Sequence, residues 1–260
     1  MEVFFVQERK LTEQENNYGC IFGRNSVLEA IRSGREIDRL YVLKDATRGA
    51  LVPIIEKCRA KKIPIKEVPV QKLDFMSGNQ NHQGVIASVA AKAYCELQDI
   101  INISKEKNTA PFVIICDGLE DPHNLGAIIR TAEATGVDGI IIPKHRSVSV
   151  NPTVAKSASG ALEYMNICKV TNLPNTIDEL KENGFWVYAA DMDGENWFEP
   201  DFTGAIAVVI GSEGNGVSRL VKEKCDGVIS MPMNGKINSL NASVAAGVLM
   251  YEVVKQRLIK

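Results

Sequence analysis

PFVIICDGLEDPHNLGAIIRTAEATGVDGIIIP, residues 111–143, decides the fold class of this chain of 260 residues. The apolar run Phe112–Cys116 predicts a buried strand, and a polar loop at 117–123 follows it. Residues 124–135 place apolar side chains at i, i+3, i+4 and i+7, which predicts a helix with one buried face. Residues 137–142 predict a second buried strand. The loop therefore lies at the carboxyl end of a strand, where ligands bind in open parallel sheets.

The alternation of strand and helix continues to the C-terminus, which predicts a mostly parallel sheet with helices on both faces. Strands are predicted at 112–116, 137–142, 164–170, 185–190, 205–210 and 228–231, and helices at 124–135, 152–159, 176–183, 216–224 and 239–257.

The rest of the chain predicts a smaller α/β domain at residues 18–95. Its helices are predicted at 27–33, capped by Asn25 or Ser26, and at 51–61, and its strands at 40–43, 64–68 and 85–91. Residues 1–17 predict a flexible tail. Residues 96–110 predict a linker whose first part is an amphipathic helix, and residues 111–260 form the C-terminal domain.

The charge is distributed unevenly between the two domains, although the whole chain carries only −2. Residues 18–95 hold 13 Lys and Arg against 7 Asp and Glu, whereas residues 96–260 hold 15 against 21. A basic module joined to an acidic one favours a polyanionic partner, RNA or DNA, for the basic half. The alternative is that surface lysines only keep a small domain soluble.

The remaining composition predicts a cytoplasmic protein that needs no metal. Six dispersed cysteines without a Cys-x-x-Cys pair indicate reduced, structural thiols. The three histidines lack metal-ligand spacing. No apolar run is long enough to span a membrane, and the N-terminus lacks the features of a secretion signal.

A glycine-rich loop, Gly211-Ser212-Glu213-Gly214-Asn215-Gly216, follows the predicted strand at 205–210. Its glycines let the backbone approach a ligand closely. The order G-x-x-G-x-G, late in the domain, does not match a dinucleotide fingerprint, and no phosphate-binding P-loop occurs. Ile229-Ser230-Met231-Pro232-Met233-Asn234-Gly235 and Asn238-Ser239-Leu240-Asn241-Ala242-Ser243 then lead into the last helix.

Several polar residues in these stretches have a purely structural alternative. Asn124 at a helix start, and Ser239 or Asn241 before the last helix, can act as helix caps. Arg130 can be an ordinary exposed residue, and Glu213 an ordinary turn residue. The amide-rich loop at 77–84 can either form a turn or contact base edges.

Taken together, the stretches Asn124-x-Gly126-x-x-x-Arg130, 211–216 and 229–243 resemble motifs 1, 2 and 3 of the SpoU-type (TrmH/RlmB-like) RNA ribose 2′-O-methyltransferases of the SPOUT superfamily. Residues 151–161 resemble the same family. Residues 18–95 are similar to the small substrate-binding domain of its RlmB-like branch. Valine replaces the family's frequent leucine at 217, and alanine its usual valine at 242, both apolar exchanges.

The resemblance implies a trefoil-knotted C-terminal methyltransferase domain and an L30e-like N-terminal domain that binds the substrate. It implies S-adenosylmethionine as cofactor, held by Gly211, Ser212, Met231, Pro232, Leu240 and Asn241. It also implies a homodimer with each active site near the partner subunit. No metal is required, because the sulfonium of the cofactor is itself the electrophile.

The resemblance places Arg130 at the ribose 2′-hydroxyl, with Asn124, Glu213, Ser239 and Asn241 around it. A guanidinium stays protonated in proteins, so we expect Arg130 to align the neighbouring phosphate and stabilise the forming alkoxide rather than act as a base. A phosphate or water would take the proton.

Three substrates or roles follow from the resemblance. The first is methylation of a guanosine in large-subunit (23S) ribosomal RNA, favoured by the added basic domain. The second is a tRNA target. The third is an RNA-binding ribosome assembly factor without turnover, which the presence of Arg130, Glu213 and Asn241 disfavours. A 2′-hydroxyl target makes RNA rather than DNA the expected substrate.

Overall fold

The structure is a computed structural model that describes residues 19–44, 49–106 and 109–259. The tail predicted at 1–17 lies outside these residues. The described chain forms two compact units. The first contains the residues up to Ala93 together with Val150–Glu163, and the second contains Tyr94–Ser149 and the residues from Tyr164 onwards.

The helices and strands alternate along the chain as the sequence predicts. In order they are β1 (Gly19–Phe22), α1 (Arg24–Arg32), β2 (Ile37–Leu43), α2 (Val52–Ala60), β3 (Ile65–Val68), α3 (Val70–Ser77), β4 (Val85–Val89), α4 (Leu97–Glu106), β5 (Phe112–Asp117), α5 (Pro122–Ala134), β6 (Gly139–Pro143), α6 (Pro152–Ser157), β7 (Ile167–Val170), α7 (Leu173–Glu182), β8 (Trp186–Asn196), β9 (Ile206–Gly211), α8 (Arg219–Lys224), β10 (Gly227–Ser230) and α9 (Ala242–Ile259).

The first unit is a mixed sheet in the order β1-β4-β2-β3, in which only β2 and β3 are parallel. Helix α6, which comes from the predicted C-terminal domain, packs against β1. The predicted strands and helices of this unit are confirmed, whereas β1 and α3 were not predicted. Neither Asn25 nor Ser26 caps α1, because the chain enters the helix at Gly23, and Ser26 is buried and donates to the Ala155 carbonyl at 3.2 Å.

The second unit is a six-stranded, fully parallel sheet in the order β10-β8-β9-β5-β6-β7. Helices cover both faces, as the alternation predicts. One face packs on α4, α7 and α8, whose buried residues include Ile100, Ile177 and Val221. Helix α5 packs on α9, and α9 also contacts β9. The segment at 96–110 therefore contributes α4 to the core of this unit.

The cysteines are free thiols, and the buried ones are expected to be unreactive. Burial raises the pKa of Cys116 and, with help from nearby acidic groups, that of Cys168 to about 12. Since the thiolate is the reactive form, these side chains stay protonated and unreactive near neutral pH. Among the described residues no helix has the length and apolar character needed to cross a membrane.

Candidate active site

Three polar side chains from distant parts of the sequence meet at one point of the second unit. The Asn124 amide donates to Glu213 Oε1 at 2.7 Å, although 89 positions separate the two residues. Asn241 Nδ2 donates to the same Glu213 oxygen at 2.6 Å and to Asn124 Oδ1 at 3.0 Å. The three side chains thus form a closed triangle, which we call the amide–carboxylate cluster.

Local sequence explains why each asparagine faces the cluster. Helix α5 is capped by Asp121, which accepts from the His123 N–H at 2.8 Å and is followed by Pro122 at the first helical position. Asn124 is therefore not the cap, and at 5% exposure it lies inside the first turn with its amide directed at Glu213. Asn241 does cap α9, because its Oδ1 accepts from the Ser243 N–H at 3.0 Å. Its Nδ2 donates to Glu213 and Asn124 in the cluster.

The glycine-rich loop closes on itself through two backbone hydrogen bonds between Ser212 and Gly216, at 2.9 and 3.1 Å. A Cβ on Gly211 would lie only 2.1 Å from the Gly216 carbonyl carbon, so the close approach requires glycine. Gly216 has a left-handed φ of +62°, which glycine adopts without strain. The tight loop holds Glu213 at the cluster.

A cavity of about 310 Å³ lies beside this loop, at the carboxyl ends of β9 and β10 and the middle of β8. We call it the first cavity. Of the residues implied by the resemblance, it is lined by Gly211, Ser212, Glu213, Met231, Ser239 and Leu240. The structure therefore brings together residues from motifs 2 and 3.

The other predicted site residues lie around this cavity rather than in its wall. Asn241 does not line this cavity, but it donates a hydrogen bond to Glu213, which does. Pro232 lines a neighbouring cavity. Asn124 lines a separate cavity on the other side of the glycine-rich loop. Arg130 is exposed on α5 and lines neither cavity of its own chain.

Sequence reasoning missed Asp191 and Met192, which line the first cavity from β8. The strand was predicted to end at residue 190, but it continues to Asn196. Both residues reach the cavity because β8 is the neighbour of β9 in the sheet, and local sequence patterns do not show that pairing.

Asp191 anchors the glycine-rich loop. Its carboxylate pairs with Lys222 at 2.5 Å and accepts from the backbone amides of Met192 and Val217. Burial alone would raise the pKa of Asp191, but these hydrogen bonds and the Lys222 charge outweigh burial and lower it below the ordinary 3.8. Within the described part of the chain, no group of three or more His, Cys, Asp or Glu side chains is arranged to hold a metal ion.

Replacing Asp191 with asparagine tests this anchor. A carboxylate whose pKa is lowered by folding stabilises the native state above its unfolded pKa, and this stability disappears as the pH falls through the folded value. We expect D191N to lose ~1–3 kcal/mol of unfolding free energy near neutral pH. In urea titrations the difference from the unsubstituted protein should shrink as the pH falls below the ordinary pKa of 3.8, and it should vanish below the lowered pKa of the folded state.

Glu223→Gln is the matched control, since the Arg219–Glu223 pair is exposed and contributes little. A D191N deficit that is the same at acidic and neutral pH would contradict the assignment.

Sequence profiles identify the two parts of the chain. The SpoU rRNA methylase family matches residues 111–251, and the family described as RNA 2′-O ribose methyltransferase substrate binding matches residues 20–95. The chain is 48% identical over 245 residues to the putative TrmH family tRNA/rRNA methyltransferase YacO of Bacillus subtilis, covering 94% of this chain and 97% of that protein. A putative TrmH family tRNA/rRNA methyltransferase of Staphylococcus aureus is also 48% identical, with 91% and 96% covered.

The fold agrees with this assignment. The SpoU methyltransferase AviRb from Streptomyces viridochromogenes, solved in complex with the cofactor AdoMet, superposes with a TM-score of 0.79 at 23% identity, covering 95% of this chain and 93% of that one. The motifs, the substrate-binding profile and the close relatives agree, and the chain therefore belongs to the SpoU methylase family of S-adenosylmethionine-dependent RNA methyltransferases.

Proposed function

We propose that this protein transfers a methyl group from S-adenosylmethionine to a ribose 2′-hydroxyl of RNA, with a guanosine of large-subunit (23S) ribosomal RNA as the expected target, in the cytoplasm. The observation that carries the proposal is the amide–carboxylate cluster, whose Glu213 lines the first cavity. A tRNA target is the second candidate, because the relatives are named as putative tRNA/rRNA methyltransferases. An assembly factor without turnover has no need for the cluster.

The first cavity suits S-adenosylmethionine in size and chemistry. Its volume of about 310 Å³ falls in the range of small-ligand pockets, and apolar side chains such as Ile210, Ile229 and Leu240 offer surfaces for adenine. The backbone of the glycine-rich loop offers polar groups at close range. When bound, the cofactor supplies a methyl group that its sulfonium makes electrophilic.

The cluster orients groups around the reacting hydroxyl. Glu213 Oε1 is occupied by the amides of Asn124 and Asn241, so its position is fixed by two hydrogen bonds. A carboxylate held in this way can accept a hydrogen bond from a ribose hydroxyl through its other oxygen. Such positioning lowers reaction barriers by up to ~7–11 kcal/mol.

A homodimer explains why Arg130 lies outside the cavities of its own chain. Helix α9 exposes Val244, Tyr251 and Leu258 at seven-residue spacing, an apolar stripe suited to a partner helix. Thr131, the neighbour of Arg130, adjoins α9 at Gly247. We propose that a symmetric dimer buries this stripe and that Arg130 serves the site of the partner subunit, where it binds the phosphate next to the reacting ribose.

Methyl transfer from labelled S-adenosylmethionine to unmodified rRNA and tRNA transcripts, followed by mapping of the modified nucleotide, tests the function. Arg130→Ala should abolish turnover and leave cofactor binding intact. Arg130→Lys should not restore the rate, because lysine lacks the planar guanidinium group that forms two parallel hydrogen bonds.

If Arg130 acts across a symmetric dimer, mixed R130A and E213A subunits should recover about a quarter of the wild-type rate, since half of the dimers then hold one complete site.

Absence of label on both RNAs would contradict the proposed function. Absence of recovery in the mixed subunits, with dimer exchange verified, would place Arg130 in the site of its own chain instead.

The first unit presents a surface suited to RNA. Phe75 on α3 is 76% exposed, and Lys72 Nζ lies 5.7 Å from the centre of its ring. The adjoining loop at 77–84 is rigidly held: His82 is 8% exposed, its Nδ1 accepts from the Gly84 N–H at 2.9 Å, and its Nε2 lies 3.1 Å from Asp74. An exposed aromatic ring beside a cation is typical of surfaces on which bases stack.

Replacement of Phe75 separates stacking from general hydrophobic contact. We expect F75A to weaken RNA binding roughly 5- to 150-fold, because one base stacked on an aromatic ring contributes ~1–3 kcal/mol. Phe75→Trp should retain affinity and Phe75→Leu should not. Phe198→Ala removes a similarly exposed ring from the second unit as a control. Full affinity of the leucine variant in filter binding would contradict stacking.

We also propose the trefoil knot that the family resemblance implies. Support comes from the path of the chain after β10. This strand lies at the edge of the sheet beyond β8, yet the helix that follows it, α9, packs on α5 and contacts β9. The segment between β10 and α9 must therefore cross the carboxyl ends of β8 and β9, where the loop at 211–218 projects.

A further inference from the structure

The parallel sheet has a topological switch point between β5 and β9, which are hydrogen-bonded neighbours. Helix α8, which follows β9, packs on the face that carries α4 and α7, with Val221 in that core. Helix α5, which follows β5, packs with α9 instead. The loops after the two strands therefore turn to opposite faces of the sheet and leave a crevice, the position at which open α/β sheets bind ligands.

A second cavity, of about 660 Å³, fills this crevice. It is lined by the residues after β5, β6 and β9, among them Asp121, Asn124, Arg146, Glu213 and Ser218. The glycine-rich loop separates it from the first cavity, and Glu213 lines both. A ligand in the second cavity would thus lie next to a ligand in the first, with the amide–carboxylate cluster at the junction.

Most carboxylates of the second cavity are already bound by donors of the protein. Asp117 accepts from the Ser218 N–H at 2.7 Å, and Asp121 from the His123 N–H at 2.8 Å. Glu213 accepts from Asn124 and Asn241. Arg146 is the one Lys or Arg side chain in the described lining, and no described carboxylate pairs with it. The cavity therefore combines three carboxylates that already accept hydrogen bonds, and the exposed Glu120, with one cation available to an anionic ligand.

The segment that carries Arg146 is held in an uncommon conformation. Arg146 has a φ of +55°, in the left-handed region of backbone conformation that residues other than glycine rarely adopt. The next residues fix the segment, because the Val148 N–H donates to the Leu119 carbonyl at 2.7 Å and the Ser147 hydroxyl to the same oxygen at 3.1 Å. Backbone strain of this kind concentrates at ligand sites.

We propose that the second cavity binds the target nucleotide of the RNA, and that Arg146 pairs with a phosphodiester of that nucleotide. The base and ribose occupy the crevice, and the ribose 2′-hydroxyl faces Glu213 at the wall shared with the first cavity. The cavity volume lies within the roughly 300–1,000 Å³ of small-molecule sites. The inference rests on the proposed function, because it assigns the RNA side of the same reaction.

Binding of labelled rRNA and tRNA transcripts to the full-length protein without cofactor provides the test. Arg146→Ala should weaken binding of the preferred transcript roughly tenfold and flatten the slope of log K against log salt by about 0.7–0.9, as expected for one lost phosphate contact. Arg146→Lys should retain most of the affinity. In turnover, R146A should raise the KM for RNA, with kcat and S-adenosylmethionine affinity within about twofold of wild type.

Lys144→Ala is the matched control, since Lys144 is exposed on the same segment but does not line the cavity. The proposal is overturned if R146A and K144A weaken binding equally, or if R146A lowers affinity for S-adenosylmethionine by as much as for RNA. The binding measurement does not require methyl transfer. Loss of binding in R146A with no turnover by the unsubstituted protein would therefore contradict the proposed function and still support the nucleotide site.

Discussion

The geometry of the candidate active site depends on the hydrogen bonds that Glu213 accepts from Asn124 and Asn241. These three residues come from the start of α5, the loop after β9 and the start of α9. The sheet brings these segments near each other, and the hydrogen bonds of the cluster connect them directly. Asn124 is the buried member of the cluster, whereas Glu213 and Asn241 are exposed. A buried amide is costly unless its hydrogen bonds are satisfied, so the Asn124 amide favours the loop position that places Glu213 beside it.

The parallel order of the sheet determines where chemistry can occur. Every strand of the second unit has its carboxyl end at the same edge, and the chain forms loops there that differ in length and direction. Between β8, β9 and β10 these loops enclose the first cavity, and at the switch point between β5 and β9 they leave the second cavity. Two adjacent cavities that share Glu213 are the arrangement expected for the methyl transfer that we propose.

Sequence patterns predicted the order of strands and helices in the second unit and the motifs that line its first cavity. They did not predict the helix start at Pro122, because Asn124 is also a good capping residue and only the three-dimensional contact with Glu213 distinguishes its role. They also missed Asp191, since β8 continues past its apolar run by pairing with β10 after a register shift. Local periodicity reports burial, whereas these features depend on long-range pairing.

We propose that the three residues of the cluster act as one unit in methyl transfer. A double-mutant cycle measures this directly from the kcat/KM for RNA of E213A, N241A and the double variant, with native folding verified by thermal unfolding. If the residues act as a unit, the double variant should be no slower than the slower single variant by more than about threefold. A double variant whose loss equals the product of the two single losses would contradict the account.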